Sequence, residues 1–355
     1  MSLTAVSEPE RVRMQPDFCA KNSEKRLISV QERDIIIYTL NISQRKKTND
    51  YLKKRRKMEL TRKQFDILVA VEQEKRSLTQ RELEKITGYS LGTINRTVKE
   101  LTAAGYIGKG GITGSGMVAL EPFRAKRAVF IAAGFGSRMV PITLNTPKPL
   151  VRVQGVRIID RLIDACLEAD INEIYIVRGY LAEQFDQLLY KYPMIKFLEN
   201  PMYNEANNIG SAMVARYFLS NSYVFEADLV ISNPKIIKKY HYTSDFLAIR
   251  KSRTDDWCFE VKDGVIVSEQ VGGEGENVWQ MVGISYWNEA DGHKLSADIP
   301  DVYQSPGGKE RYWEQVPLVY RREHYAVQVS ECLETDIVEI DTFKELKAID
   351  KTYDV

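Results

Sequence analysis

The sequence has few cysteines and no long apolar run. The four cysteines, Cys19, Cys166, Cys258 and Cys332, are far apart, with no CxxC pair and no metal-ligand spacing. They predict reduced cytosolic thiols and exclude a disulfide framework and a cysteine zinc site. No stretch approaches the roughly 18 apolar residues of a membrane-spanning helix, and the N-terminus lacks an apolar signal core. We therefore expect a cytoplasmic protein without a membrane partner.

Histidine is equally scarce. His241, His293 and His324 lie in no cluster, and no Ser–His–Asp or Cys–His arrangement can be assembled from neighbouring motifs. The sequence therefore gives no indication of a covalent enzyme intermediate.

A net charge of +1 hides an uneven distribution along the chain. Residues 1–57 carry a net charge of +7, residues 58–125 carry +2, and residues 126–355 carry −8. The basic front and the acidic back indicate different partners. The front has no sustained hydrophobic period apart from 34–40, which could form one strand, and it ends in KKRRK at 53–57. We interpret it as a basic, solvated arm, with contact to phosphate or nucleic acid as the alternative.

Residues 58–122 have the pattern of a winged helix-turn-helix domain. Two short helices surround a turn at Gly88, and the glycine-rich segment 109–120 predicts a wing of two short strands with a flexible tip. Three helices are expected to begin after the N-caps Thr61, Thr79 and Ser90. The segment resembles the winged domain of the MarR-like regulators, which implies a DNA partner.

The apolar spacing of this domain separates a buried face from an exposed face. The side chains expected to point inward from the second and third helices are Leu83, Ile86, Ile94, Val98 and Leu101. Those expected to point outward, and to contact DNA, are Thr93, Asn95, Arg96 and Lys99. A net charge of only +2 weakens the DNA interpretation. A helical hairpin for dimerisation or domain packing is the alternative, and a homodimer is compatible with the sequence.

From residue 126 to residue 355 the pattern alternates between strands and helices. This alternation predicts an α/β domain with a doubly wound, mostly parallel sheet. The strands are expected at 127–134, 172–180, 195–201 and 222–231, and the helices at 157–170, 182–192 and 208–220. A β-rich meander is expected over 246–330 and a closing helix over 341–353.

A glycine loop follows the first of these strands. Gly134 and Gly136 allow close approach of the backbone to a phosphate, and Arg138 and Lys148 add positive charge. Such positioning and charge neutralisation suit phosphoryl transfer, so we assign the two cations as catalytic. The nucleotide-binding candidates of the loop are Ala132, Ala133, Gly134, Phe135, Gly136 and Ser137.

The complete string GxGxRxxPxTxxxPKPLV over 134–151 resembles the signature of the sugar-nucleotide and phosphocholine nucleotidyltransferases, which have a GT-A-like fold. It is neither a Walker loop nor a Rossmann fingerprint. Paired acids in the contexts of Asp228 and Asp341 bind the catalytic Mg²⁺ in that family. From the residues alone, Asp228 could equally cap a turn and Asp341 could be an N-cap. Glu226 is the fallback ligand.

Seven segments occur in the same order as similar segments of the bacterial CTP:phosphocholine cytidylyltransferases of the LicC type. They are NTPKPLV, RGYLAEQF, YNEANNIGS, EADLVI, VGISYWN, RYWEQ and VEIDTFKEL. The resemblance implies that CTP and phosphocholine give CDP-choline and pyrophosphate. It also implies an aromatic choline cage of Trp257, Tyr312, Trp313 and Glu314, although each tryptophan could instead serve packing.

Recognition of the base is the least specific signal. Gly179, Tyr180, Asn208 and Ser211 lie where strand ends and a helix start are expected to meet, and they could contact cytosine. Asn208 could instead cap its helix. Two other functions remain open: transfer to a sugar or polyol phosphate, and a DNA-binding regulator whose transferase domain only senses nucleotide.

Overall fold

The computed structural model describes residues 60–354. The chain from Leu60 onward forms one compact unit. The predictions for the arm 1–57, including its strand at 34–40, and for Cys19 lie outside the described residues. No helix within the described part of the chain has both the length and the apolar character needed to cross a membrane.

The first part of the described chain is the predicted winged helix-turn-helix domain. Each of its first three helices begins after the expected cap, because the hydroxyl of that residue accepts a hydrogen bond from the backbone N–H three positions on. Gly88 ends the second helix in the left-handed conformation, with φ of 70°. The helices are α1 (Arg62–Glu74), α2 (Gln80–Thr87) and α3 (Leu91–Ala103).

Two expectations for this domain are wrong. Ile86 is 50% exposed, because α2 is a short helix that buries only Leu83. The wing is a hairpin of β1 (Ile107–Gly108) and β2 (Gly111–Ile112), and the rest of the predicted second strand is helix α4 (Gly114–Leu120). The Thr113 hydroxyl caps α4 by accepting a hydrogen bond from Gly116 N.

Aromatic side chains pack the winged domain against the following domain. Phe65 of α1 lies 5.0 Å from Phe123 and 5.3 Å from Tyr242, measured between ring centroids. The Tyr242 hydroxyl donates a hydrogen bond to Leu60 O at 3.1 Å, and Lys239 Nζ lies 2.9 Å from Glu72 Oε1. The two domains therefore share one hydrophobic cluster.

The second domain is built on a mixed seven-stranded sheet in the order β10 (Asp245–Lys262), β12 (Gln328–Cys332), β11 (Val265–Trp287), β8 (Ser222–Glu226), β3 (Arg127–Ile131), β6 (Glu173–Arg178) and β7 (Lys196–Glu199). Its parallel centre consists of β8, β3, β6 and β7 and is buried on both faces, as expected for a doubly wound fold. The strands of this domain are β3 (Arg127–Ile131), β4 (Arg152–Val153), β5 (Val156–Arg157), β6 (Glu173–Arg178), β7 (Lys196–Glu199), β8 (Ser222–Glu226), β9 (Leu229–Ile231), β10 (Asp245–Lys262), β11 (Val265–Trp287), β12 (Gln328–Cys332) and β13 (Ile337–Glu339).

The strand predicted over 222–231 is broken in the structure. β8 stays in the central sheet and ends at Glu226, whereas β9 leaves the sheet and pairs antiparallel with β13. The break places Asp228 in the turn between the two strands, and the pairing sets Glu339 opposite Leu229. Two acidic segments that are distant in sequence are thereby brought together.

The segment predicted as a β-rich meander is a long antiparallel hairpin of β10 and β11 followed by a helix, Glu289–Gln304. The Asn288 side chain caps that helix, and Leu295 and Ile299 pack into the core. The helix predicted over 182–192 is a 3₁₀ segment, Ala182–Tyr190. The α-helices of this domain are α5 (Ile158–Glu168), α6 (Ile209–Ala215), α7 (Glu289–Gln304) and α8 (Phe343–Ile349).

Gly116→Ala should destabilise the winged domain by about 1–3 kcal/mol, the usual cost of overpacking. The added Cβ would lie 2.4 Å from Tyr106 O and 2.7 Å from Ile112 Cγ1. Gly92→Ala is the matched control: no atom lies within 4 Å of its Cβ on α3, so it should stabilise the helix by up to about 1 kcal/mol. Thermal unfolding of the full chain measures both, and equal midpoints would contradict the packing at Gly116.

Candidate active site

The loop after β3 has the geometry of a phosphate cradle. Gly136 has φ of 66°, and a Cβ there would lie 3.2 Å from Lys148 Cβ and 3.3 Å from Thr143 Cγ2, so this position requires glycine. Gly134 has no atom within 4 Å of the position of a Cβ. The Thr143 hydroxyl fixes the loop by donating a hydrogen bond to Gly136 O at 2.9 Å. The backbone from 133 to 137 is thus held in place while Gly134 borders open space.

Lys148 connects the two acids that the sequence singled out. Its Nζ donates hydrogen bonds to Asp228 Oδ2 at 2.8 Å and to Asp341 Oδ1 at 3.1 Å. Arg138 Nη2 donates to the same Asp341 oxygen at 2.7 Å. Burial opposes the charge of Lys148, but the two carboxylates outweigh it and raise its pKa. The expected cations and acids therefore form one network, in which Lys148 is buried and Arg138 is exposed.

A second acidic group adjoins this network. One oxygen each of Glu226, Asp228 and Glu339 lie within 4.8 Å of one another. Burial, together with the neighbouring acids, raises the pKa of Glu226 well above its usual value and that of Glu339 to about 8. Within residues 60–354, Asp228 Oδ1 is buried without a hydrogen-bond partner. Converging carboxylates and an unpaired oxygen fit a hard divalent cation.

Glu339 was missed at the level of sequence. The segment 337–341, IVEID, places Glu339 and Asp341 two positions apart, and that alternation was the available signal. The Glu226 side chain packs against Gly283 on the neighbouring strand β11, where a Cβ would lie 2.8 Å from Glu226 Oε2. The glycine therefore leaves room for the Glu226 carboxylate. The Asp228–Asp341 pair was predicted, whereas the three-acid group depends on the pairing of β9 with β13.

Asn208 links Glu226 of the three-acid group to Trp313 and Glu314, two residues of the expected choline cage. Its Nδ2 lies 3.3 Å from both Glu226 Oε1 and Glu314 Oε2, and its Oδ1 accepts a hydrogen bond from Trp313 N at 2.7 Å. It makes no side-chain cap at α6, so the capping interpretation is wrong. Ser211, the other candidate on this helix, is buried and accepts a hydrogen bond from Asn200 Nδ2 at 3.1 Å. Both side chains have protein partners.

Gly179 and Tyr180, two of the residues proposed to contact cytosine, lie beside the glycine loop. Tyr180 N donates a hydrogen bond to Ala133 O at 3.0 Å, and the Tyr180 ring packs edge-on against Phe135 at 4.7 Å. Gly179 allows Tyr203 to approach, because a Cβ there would lie 2.6 Å from Tyr203 Cβ. The segments that follow the neighbouring parallel strands β3 and β6 therefore form one wall of a crevice at the carboxyl end of the sheet.

The four residues of the expected choline cage differ in burial: Trp257 and Tyr312 are accessible, whereas Trp313 and Glu314 are buried. The rings of Trp257 and Tyr312 meet edge-to-face at 5.8 Å; Trp257 is half-buried and Tyr312 is exposed. Trp313 is only 3% exposed and packs against Phe246 and Trp287, so the packing interpretation applies to it. Glu314 is buried, and burial raises its pKa to about 7.

A second acid of this region, Glu269, was also missed. It lies on β11 opposite Phe259, and its charge contributes to the raised pKa of Glu314. Burial raises the pKa of Glu269 itself to about 7, although Gln315 opposes the shift. Across residues 60–354 neither Glu269 carboxylate oxygen has a hydrogen-bond partner, and both are buried. The strand of Glu269 has no distinctive motif, so the sequence offered no signal.

The outward face of α3 has the expected charges. Arg96 and Lys99 are exposed, and Thr93 and Asn95 are partly exposed. Arg96 Nε is 3.9 Å from Glu100 Oε1, a loose surface contact that leaves the guanidinium accessible to a partner.

Family comparisons assign both domains. Residues 59–110 match the MarR family, and residues 127–255 match the nucleotidyl transferase family. The 2-aminoethylphosphonate cytidylyltransferase of Lancefieldella rimae is 36% identical over 230 residues, which are 64% of this chain and 92% of the relative. The choline-phosphate cytidylyltransferase of Streptococcus pneumoniae is 30% identical over 231 residues, which are 63% of this chain and 97% of the relative.

Solved structures agree with the assignment of the transferase domain. The CTP:phosphocholine cytidylyltransferase of Streptococcus pneumoniae superimposes with a TM-score of 0.59 at 29% identity, covering 64% of this chain and 99% of that one. The inositol-1-phosphate CTP transferase of T. maritima, at 15% identity and a TM-score of 0.52, covers 65% of this chain and 95% of that one and shares the fold.

We predict that Glu269→Gln flattens the pH dependence of stability. The pKa of Glu269 rises from 4.5 to about 7 on folding, so its favourable contribution is complete below 4.5 and is lost as the pH rises through 7. Thermal unfolding without nucleotide or metal, from pH 5 to pH 8, should show a shallower decline for the variant. The exposed Glu260→Gln on the same hairpin should follow the parent chain, and a parallel decline for Glu269→Gln would contradict the burial argument.

Proposed function

We propose that this chain, which belongs to the cytidylyltransferases of the nucleotidyl transferase family, transfers CMP from CTP to a small acceptor with a cationic nitrogen. The acceptor is a phosphate or a phosphonate, and phosphocholine, which the sequence predicts, is one member of that class. The named relatives act on choline phosphate and on 2-aminoethylphosphonate.

The observation that carries this proposal is the buried carboxylate of Glu314 in the region of the aromatic pair Trp257 and Tyr312. Glu314 is buried and makes no ion pair with a Lys, Arg or His of residues 60–354. The rings of Trp257 and Tyr312 offer π-faces that attract a cation. The charged form of a buried carboxylate is stabilised by a positive partner, and a cationic acceptor would supply one. A sugar phosphate has no such charge.

The cations at the glycine loop support transfer of the nucleotidyl group. An acceptor oxygen attacks the α-phosphorus in line, the new P–O bond forms, and the bond to the bridging oxygen breaks as pyrophosphate leaves with its electron pair. Arg138 and Lys148 neutralise phosphate charge, and the backbone at Gly134 lies against the triphosphate. A phosphate dianion is already nucleophilic at neutral pH, so no side chain is assigned as a general base.

Mg²⁺ is the metal that we assign to this reaction. Asp228 with Glu226 and Glu339 would hold it, and Asp341 adjoins them through Lys148. When bound, the ion supplies positive charge to the phosphate oxygens. Lys148 meanwhile keeps Asp228 and Asp341 in position in the nucleotide-free chain.

We expect pyrophosphate release with Mg²⁺ and CTP when the acceptor is phosphocholine, phosphoethanolamine or 2-aminoethylphosphonate. Glucose-1-phosphate and inositol-1-phosphate should support at most a few per cent of that rate, because neither offers a cation to Glu314. A pyrophosphate assay that crosses CTP, UTP, dTTP, ATP and GTP with these acceptors measures the preference. Turnover with the sugar phosphates alone would overturn the cationic assignment.

Two variants test the assigned residues in the same assay. Trp257→Ala should lose the cationic acceptors selectively by raising their KM, whereas Trp279→Ala on the same hairpin should leave the KM near that of the parent chain. Lys148→Ala should lower kcat by about 100-fold or more, the usual effect of removing one group that stabilises transition-state charge.

A second candidate function, DNA binding, is favoured by the exposed cations of α3 and by the MarR match. We expect fragments of the chain's own upstream DNA to be retarded in a gel-shift assay at low salt, with affinity falling steeply as salt rises. Arg96→Ala/Lys99→Ala should weaken binding and reduce the salt slope by up to about 2, whereas Lys126→Ala in the transferase domain should not. Absence of a shift at low salt would exclude this function.

A further inference from the structure

We infer that Glu269 makes the acceptor site selective for an ammonium group that carries N–H bonds over a trimethylammonium group. The inference rests on the proposed cytidylyl transfer and concerns one feature of it, the chemistry of the nitrogen.

The position of Glu269 places it at the acceptor site. It pairs with Phe259 across the β10–β11 hairpin, and Trp257 lies two residues before Phe259 on the same strand, so the side chains of all three share one face. Glu269 also interacts electrostatically with Glu314. The hairpin therefore sets a second carboxylate beside the aromatic pair, in addition to Glu314.

No neighbouring group among the described residues donates a hydrogen bond to the Glu269 carboxylate. Both of its oxygens are buried, and neither accepts a hydrogen bond from any group of residues 60–354. Gln315 lies close enough to oppose the rise in the Glu269 pKa, but its amide donates no hydrogen bond to either carboxylate oxygen, and its own oxygen accepts one from Tyr312 N at 3.2 Å. Glu314 differs, because it has Asn208 as a donor at 3.3 Å. Glu269 is thus the open acceptor of the pair.

An open buried acceptor discriminates between nitrogen types. Trimethylammonium offers charge and apolar surface, which the rings of Trp257 and Tyr312 can accommodate, but it has no N–H donor. When such a ligand is bound, the Glu269 oxygens are shielded from water without gaining a hydrogen bond. Binding is then weaker by the free energy of a hydrogen bond to a charged group. A primary ammonium has three N–H donors and can satisfy Glu269 while its charge offsets Glu314.

A methylation series tests this assignment directly. Phosphoethanolamine and its N-methyl, N,N-dimethyl and N,N,N-trimethyl derivatives differ in the number of N–H bonds but keep the positive charge. We expect kcat/KM with CTP to fall by about tenfold or more between the dimethyl and trimethyl compounds, where the last N–H is lost, in line with a hydrogen bond to a charged group.

Glu269→Gln should remove most of this discrimination. Its kcat/KM for phosphoethanolamine should fall by at least fivefold while that for phosphocholine changes by less than twofold, because phosphocholine never used the charged acceptor. Glu260→Gln should keep the parent profile. Binding of CTP, measured by calorimetry without acceptor, should be equal in all three proteins, which shows that the variant is folded.

The possible failures can be told apart. A parent chain that uses phosphocholine as well as phosphoethanolamine, or a Glu269→Gln variant that loses all four acceptors by the same factor, would overturn the role of Glu269 and leave cytidylyl transfer intact. No turnover with any of the four amines, together with turnover of a sugar phosphate, would overturn the proposed function itself.

Discussion

The contact of Lys148 with two carboxylates is the interaction on which the catalytic crevice depends. Lys148 follows the glycine loop, Asp228 lies at the break between β8 and β9, and Asp341 follows β13. These positions are 80 and 193 residues from Lys148 along the chain. A buried ammonium between two acids offsets the desolvation of all three groups, so the three segments hold one another in place.

The crevice nevertheless keeps a surplus of negative charge. Arg138 and Lys148 face Asp228 and Asp341, but Glu226, Glu339, Glu269 and Glu314 form no ion pair within the described part of the chain, and the pKa of each is raised by burial. Asn208 bridges the two halves of this surplus through Glu226 and Glu314. We propose that Glu226 and Glu339 belong to the metal site and that Glu269 and Glu314 belong to the ammonium site. The ligands of the proposed reaction would supply the charges that the protein omits.

The winged domain is packed onto the transferase domain through Phe65, Phe123 and Tyr242. The outward face of α3 stays exposed despite that packing. The surface proposed for DNA binding and the crevice proposed for cytidylyl transfer are therefore separate parts of one compact unit.

Local sequence determined the elements whose stabilising contacts are also local. The caps at Thr61, Thr79 and Ser90 need only neighbouring backbone groups, and the string from Gly134 to Val151 contains the glycine, arginine and lysine of the phosphate loop within 18 residues. For this reason the fold class, the family and the Arg138–Lys148 pair could be predicted from local segments, whereas Asp228 and Asp341 were expected as metal ligands only from the family resemblance. Glu339, Glu269 and the burial of Trp313 could not, because each depends on a partner strand or core residue distant in sequence. The strand break after Glu226, the pairing of β9 with β13 and the register of the β10–β11 hairpin were decided by tertiary structure, since only burial against the rest of the chain fixes which acids meet.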